Sequence, residues 1–216
     1  SKIKSRIRTI KMAMHNELWF PSVIWSSVVN NVDNVALKKF AYDKIKEDPN
    51  GRVISNNKGY QSVDIRPKEH AEIDRFVQTL DKEIAEISMQ VGLKMPKLYN
   101  IWINVNYPGS SNNLHHHIGA IFSGVYYVDS DPNIDQGNIT FERNDNAEYH
   151  IPPAMIEKIT YYTAQQSNYA SKTGGLFVFP GWLKHKVGIN NSNKDRISIS
   201  FNLSLIHISE PTRQLC

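Results

Sequence analysis

His115 and His117 are separated by one residue, His185 follows about seventy residues later, and Arg196-x-Ser198 begins eleven residues beyond that. Imidazoles at i and i+2 of a β-strand share a face, so one metal ion could take both, with a third ligand brought in by the fold to complete a facial triad. That reads as a mononuclear iron site. By the same alternation His116 points the other way. Arg196 offers a planar guanidinium able to grip a carboxylate through two parallel charge-assisted bonds, and Ser198, two residues on, faces the same side and can add a hydroxyl donor.

The sequence around these residues resembles a known family. The stretches LHHHIGAIFSGVYYV from Leu114 to Val128, GLFVFPGWLKHKV from Gly175 to Val187 and DRISISFN from Asp195 to Asn202 resemble the 2-oxoglutarate- and Fe(II)-dependent oxygenases of the prolyl-hydroxylase-like branch. LWFPSVIW from Leu18 to Trp25 resembles that family's opening strand, and NKGYQS from Asn57 to Ser62 its turn, so the similarity runs from about residue 18 to 203. The resemblance implies Fe(II) on His115, His117 and His185, with 2-oxoglutarate and O2 as co-substrates. It gives Arg196 and Ser198 the distal carboxylate of 2-oxoglutarate, and makes Asn106, Tyr107 and Tyr127 further candidates to hold that molecule. The implied reaction decarboxylates 2-oxoglutarate to succinate and CO2 and hydroxylates a protein or peptide side chain or a small metabolite. Most enzymes of this chemistry carry His-x-Asp or His-x-Glu, whereas here His117 stands at the acid's place; a carboxylate from elsewhere, Asp129 or Glu142, is the alternative ligand.

Positioning these residues takes a scaffold whose outline is visible in the periodicity. Asp33 is placed to cap a helix running to about Glu47, where Asp48-Pro-Asn-Gly51 supplies turn chemistry. Pro67 opens a second helix, in which Ile73, Phe76, Val77, Leu80, Ile84, Ile87 and Val91 recur at helical spacing before Gly92 closes it. From Leu98 the pattern becomes short and period-two, with strands expected at about 98–107, 118–128, 137–143, 158–165, 174–179, 185–190 and 195–203. Residues 107–113 read as a loop, and Asn190 to Asn193 as a hairpin turn joining neighbouring strands. The expected fold is mainly β with α: a double-stranded β-helix, or jelly-roll, of cupin-like type buttressed by two N-terminal helices. Two rival functions share that fold. A cupin-like three-histidine metalloenzyme would not need Arg196-x-Ser198, and a non-catalytic jelly-roll binding protein would not need the metal.

The chain has 216 residues, 25 basic and 21 acidic, but Lys2, Lys4, Arg6, Arg8 and Lys11 crowd its start. The end, from Leu203 to Arg213, resembles a translated sequencing adapter. Setting aside those five bases with Arg213 and Glu210 leaves 19 basic against 20 acidic residues, so no nucleic-acid partner is expected. We therefore read a doubtful basic arm at 1–11, one oxygenase domain at 12–203 and a non-native tail at 204–216. The sole cysteine, Cys216, falls in that tail, which removes any disulfide framework and favours a reducing compartment. No apolar run spans a bilayer. The expectation is a cytoplasmic protein, from a bacterium or a phage-infected host cell, with a homodimer left open and its prime substrate unspecified.

Overall fold

Two helices are set by local signals before any long-range contact is made. In the computed structural model, which describes residues 17–146 and 150–205, helix α1 spans Asn34–Glu47. Asp33 caps it, its carboxylate accepting from the backbone N–H groups of Val35 and Ala36 at 2.9 and 3.1 Å. Helix α2 spans Ala71–Val91 and follows a single 3-10 turn at Pro67–Glu69, so the proline opens the turn ahead of the helix. His70 Nδ1 accepts from Glu72 N–H at its start, and Gly92, with φ 71°, takes the left-handed conformation that ends it. The Glu72 side chain in turn accepts from Asp33 N–H at 2.8 Å, tying the starts of the two helices together.

The eleven strands of the described residues follow one antiparallel plan. Strands β1 (Trp25–Val28), β3 (Tyr60–Gln61), β4 (Lys97–Asn106), β6 (Phe122–Asp129), β9 (Gly175–Pro180) and β11 (Arg196–Ser204) form a major sheet in the order β1-β9-β6-β11-β4-β3. Strands β2 (Asn56–Asn57), β5 (Ser111–His115), β7 (Ile139–Glu142), β8 (Gln166–Tyr169) and β10 (His185–Val187) form a minor sheet in the order β2-β5-β10-β7-β8. This is the double-stranded β-helix expected from the sequence, with both helices packed on the major sheet.

Period-two alternation divides the major sheet into two chemically different faces. Ile101, Ile103 and Val105 of β4, Tyr126 and Val128 of β6, and Ile197, Ile199, Phe201 and Leu203 of β11 share a buried cluster with Leu37, Ala41, Ile73, Phe76, Leu80, Ile84 and Ile87 of the helices. Each Val, Leu, Ile or Phe among them contributes about 1.5–3 kcal/mol when fully buried, so this layer holds the frame together. The residues between them in sequence, including Trp102, Asn104, Asn106, Arg196, Ser198 and Ser200, face the other way and line a cavity between the sheets.

Four expectations need correction. The segment 158–165 is not a strand: the hydroxyls of Thr163 and Thr160 accept from the backbone N–H groups of Thr160 and Tyr162 and fold it into turns, and strand β8 follows it. The opening strand begins only at Trp25, because Phe20 sits at φ 57° and Pro21 follows. Residues 111–113, read as the end of a loop that starts at Tyr107, belong instead to β5, paired with β10 and β2. Finally, Asn190 to Asn193 do not join neighbours. The strands carrying His185 and Arg196 lie in different sheets, and the intervening segment crosses from one to the other, held by Asn190 Nδ2 on the carbonyls of Asn106 and Lys194. The basic arm at 1–11 and the tail beyond Leu205, with Cys216, lie outside the described residues, but Leu203 is fully buried and Ser204 pairs with Lys97.

Candidate active site

The cavity between the sheets is lined by His115, His117 and His185 from one side and by the polar face of the major sheet from the other. His115 ends β5 directly opposite His185 at the start of β10, and His117 follows just after the strand. The backbone fixes His117 through its N–H to the Gly181 carbonyl at 2.8 Å. The three rings lie at centroid separations of 4.3 Å (115–185), 5.1 Å (115–117) and 5.1 Å (117–185), and one nitrogen from each comes within 4.8 Å of the others. His116 is exposed beside them.

Two backbone carbonyls set the chemistry of this cluster. His115 Nδ1 is 2.7 Å from the Asn113 carbonyl and His185 Nδ1 is 2.9 Å from the Leu183 carbonyl. A carbonyl only accepts, so Nδ1 carries the proton in both rings and each neutral imidazole presents the lone pair of Nε2. Burial, joined by the repulsion of the neighbouring rings, holds His117 down to about 3 and His185 down to about 4, and desolvation lowers His115 as well. All three are therefore neutral at pH 7, the state in which imidazole binds a metal. Phe179 and Phe141 pack on His185 at 4.7 and 5.9 Å, and Trp102 lies 6.0 Å from His117, which keeps water from one side of the cluster.

No carboxylate joins this grouping among the described residues. Asp129 is paired with Lys38, and Glu142 with Lys186 at 2.7 Å, both outside the cavity lining. An ion held here would thus meet three neutral donors and keep its full positive charge, which favours an anionic chelator in the remaining positions.

Arg196 supplies the second half of the site. It is 2% exposed, and its guanidinium donates only from Nη1, to the carbonyls of Gln136 at 3.0 Å and Gly137 at 2.6 Å, while Nε is buried without a partner. Among the described residues no carboxylate pairs with it; the face of Tyr127 lies 6.0 Å away. A buried cation left uncompensated costs several kcal/mol, so the site as built calls for an anion. Ser198 lines the same cavity two residues on, and Ile197 and Ile199 face the helices.

The remaining predicted residues divide. Asn106 and Tyr127 line the cavity, as does Asn104, whose amide donates to Ser200 Oγ at 3.0 Å. Tyr107 does not: it follows the inward-facing Asn106 and so packs on the helix-side cluster, out of reach of the cavity. Sequence reasoning missed Ser55, Gln61 and Asn112 of the lining and the Gln136–Gly137 carbonyls beneath Arg196. Only fold geometry brings those segments in, and no local spacing signals them.

Residues 100–202 match the model of a family described as "Putative 2OG-Fe(II) oxygenase". Over those residues the chain is a 2-oxoglutarate- and Fe(II)-dependent oxygenase. No curated protein matches the oxygenase sequence at a significant level. Among solved structures, a prolyl-4-hydroxylase from Pseudomonas putida superposes on it with a TM-score of 0.64 at 15% identity, covering 85% of this chain and 92% of that one. A prolyl hydroxylase from Trichoplax adhaerens, solved with a hypoxia inducible factor peptide fragment, gives 0.60 at 13% identity and covers 83% of each chain. HygX from Streptomyces hygroscopicus, solved with nickel and 2-oxoglutarate, gives 0.57 at 9% identity, covering 85% of the oxygenase and 83% of HygX. At such identities the likeness is one of fold. The cofactors of the family are Fe(II), 2-oxoglutarate and O2, and the three neutral histidines and the anion-seeking arginine fit the first two.

Proposed function

We propose that the oxygenase is a hydroxylase in which His115, His117 and His185 hold Fe(II) while Arg196 and Ser198 hold the distal carboxylate of 2-oxoglutarate. The observation that carries this reading is Arg196, buried without an anionic partner on the sheet facing the histidines. A cupin-like enzyme without an oxoacid would have no use for a naked buried guanidinium, and a binding barrel would have no use for three neutral imidazoles aimed at one point.

When bound, Fe(II) would activate O2 and 2-oxoglutarate would supply two of the four electrons that reduce it, so that one oxygen atom enters the substrate C–H bond and the other the succinate formed together with CO2. The chain's own residues bind and orient. The Asn113 and Leu183 carbonyls keep the Nε2 lone pairs of His115 and His185 turned to the ion, and Gln136 and Gly137 aim the guanidinium. Val125, Ile139, Phe141 and Phe179 form a dry wall that strengthens the charge pairing within. The prime substrate is a side chain of a protein or peptide or a small metabolite; the Trichoplax relative, solved with a peptide fragment, supports the first.

The test is an anaerobic titration of the full chain with Fe(II) and then 2-oxoglutarate, followed by the visible metal-to-ligand charge-transfer band, with succinate measured after O2 is admitted. We expect a band in the wild type and none in His185→Ala. Tight Fe(II) binding with no band and no succinate would refute the reading in favour of the cupin-like alternative.

A further inference from the structure

The row of the major sheet that carries Ser198 runs on beyond the arginine end of the cavity. Ser198 stands opposite Asn104 on β4, and Asn104 stands opposite Gln61 on the edge strand β3. Residues directly opposed in an antiparallel pair share a face. Tyr60, opposite Val105, accordingly packs in the helix-side cluster, and Gln61 turns the other way and lines the cavity. Two strand spacings, roughly 10 Å, separate it from Ser198, which takes it away from the place assigned to the co-substrate carboxylate.

Gln61 is 5% exposed, yet its side-chain amide makes no hydrogen bond among the described residues. Its polar neighbours are provided for: Asn104 Nδ2 donates to Ser200 Oγ at 3.0 Å, and Asn112 Nδ2 to Ser55 Oγ at 3.3 Å. Trp102, two residues from Asn104 on the same face of β4, is buried in the lining with its ring 6.0 Å from that of His117. Its indole N–H has no partner among the described residues either. Desolvated polar groups left unpaired are costly, so these atoms are placed to meet a ligand rather than to hold the fold.

Whichever way the Gln61 amide is turned, it offers a carbonyl oxygen beside an NH2 group. A carboxamide answers both at once, donating to Oε1 and accepting from Nε2, with a second lone pair open to the Trp102 N–H. A carboxylate would set an oxygen against Oε1, and an ammonium would leave Nε2 and the indole unanswered. Neither charge would find a counter-ion, because the walls here are Ser55, Gln61, Trp102, Asn104 and Asn112. We propose that Gln61, assisted by Trp102, anchors the prime substrate and takes a neutral carboxamide, that of an asparagine or glutamine side chain. The proposal rests on the oxygenase reading of the cavity. It makes Gln61 a specificity residue and leaves open whether the carboxamide belongs to a polypeptide or to a free amino acid, which the probes below separate.

The experiment uses the full chain loaded anaerobically with Fe(II) and 2-oxoglutarate, with 2-oxoglutarate binding read from the charge-transfer band. Probe binding is then measured by anaerobic isothermal titration calorimetry for wild type, Gln61→Met and Gln61→Glu. The probes are free asparagine, free glutamine and acetyl-Gly-X-Gly-N-methylamide with X asparagine, glutamine, aspartate or leucine. In the wild type at least one asparagine or glutamine probe should bind at least about tenfold tighter than the aspartate and leucine peptides, which leave the buried amide unpaired. Gln61→Met keeps the bulk and removes both amide atoms; it should erase that preference and leave the 2-oxoglutarate constant unchanged. Binding by the peptides alone puts the carboxamide on a polypeptide, binding by the amino acids alone puts it on a metabolite, and either supports the anchor. No binding by any carboxamide probe, or no preference over aspartate and leucine, in a wild type that binds 2-oxoglutarate overturns the anchor alone. A Gln61→Met chain that weakens 2-oxoglutarate as much as the probes would assign Gln61 to the co-substrate and overturn it as well. A wild type with no charge-transfer band overturns the oxygenase reading and the anchor with it. If Gln61→Met does not fold, Gln61→Glu decides, since it keeps the shape and loses the donor: a preference equal to that of the wild type overturns the proposal.

Discussion

Replacing Arg196 by methionine tests the functional reading where it is most exposed. The guanidinium is buried on every side and donates to two backbone carbonyls but to no anion, so binding of a carboxylate and loss of the arginine should have separable effects. Ligand present at 100 times its dissociation constant stabilises a protein by about 2.7 kcal/mol. For a chain of this size, where 1 kcal/mol moves the melting temperature by roughly 2–4 °C, wild type with Fe(II) and 2-oxoglutarate should melt about 5–11 °C above the Fe(II) form. Breaking a buried ion pair costs about 3–5 kcal/mol, a factor of at least about a hundred in affinity. At the same 2-oxoglutarate concentration the variant is then at most half saturated, and its shift falls to about 1 °C. Without ligand, Arg196→Met loses two charge-assisted bonds but also sheds an uncompensated buried charge, so its own stability should change by far less than its ligand response. Anaerobic differential scanning fluorimetry with and without 2-oxoglutarate reads both quantities. A variant that melts many degrees lower yet keeps the full ligand shift would show that Arg196 is structural and that the carboxylate sits elsewhere.

Two further outcomes follow from the same geometry. His117 and His185 are held neutral in the fold at values of about 3 and about 4, below the ordinary 6.5, by desolvation first. The unfolded chain therefore takes up protons that the folded metal-free protein refuses. Stability contributed by these rings is complete above pH 6.5 and is lost as pH falls toward 4, each ring adding a slope of up to about 1.4 kcal/mol per pH unit. Urea midpoints of metal-free protein between pH 7 and 5 should decline, and His117→Leu should flatten the decline; equal slopes would count against the burial. Gly137→Ala should disturb the arginine's seat. Gly137 has φ 81°, an added Cβ would lie 2.1 Å from the Gly188 carbonyl oxygen, and the Gly137 carbonyl is one of the two acceptors for Arg196. We expect a loss of at least about 1–2 kcal/mol by thermal melting together with weaker 2-oxoglutarate binding; unimpaired binding would show that this loop does not aim the guanidinium.

Much of this arrangement is legible without coordinates, and the failures have physical causes. Helix α2 is legible because its apolar spacing and its terminal glycine agree, with Pro67 opening the turn ahead of it, and the alternation in β11 alone separates Arg196 and Ser198 from Ile197 and Ile199. Applied to β4, the same alternation would have excluded Tyr107 once Asn106 was placed inward. Strand β5 was hidden because Ser111, Asn112 and Asn113 have turn-like chemistry; what makes them a strand is pairing with β10 and β2, whose own residues lie far away in sequence. The same holds for Ser55, Gln136 and Gly137, which reach the cavity only through the fold. Sheet membership was the largest error: a run of polar residues between two short strands looks like a hairpin, and only the packing of two layers shows that the chain changes sheets there.

That change of sheets alters what the co-substrate does for the protein. The paired histidines His115 and His185 belong to the minor sheet and the arginine to the major one, so in the proposed binding mode a dicarboxylate reaching from metal to Arg196 would add a polar cross-brace to two layers otherwise held by loops and by the apolar packing of Val125 and Phe179 with Ile139 and Phe141. Occupancy should then slow amide exchange on both sheets at once, with the central strands β10 and β11 responding together although they share no ladder. Catalytic turnover, by shortening that brace to succinate, would loosen the sandwich at the moment product must leave.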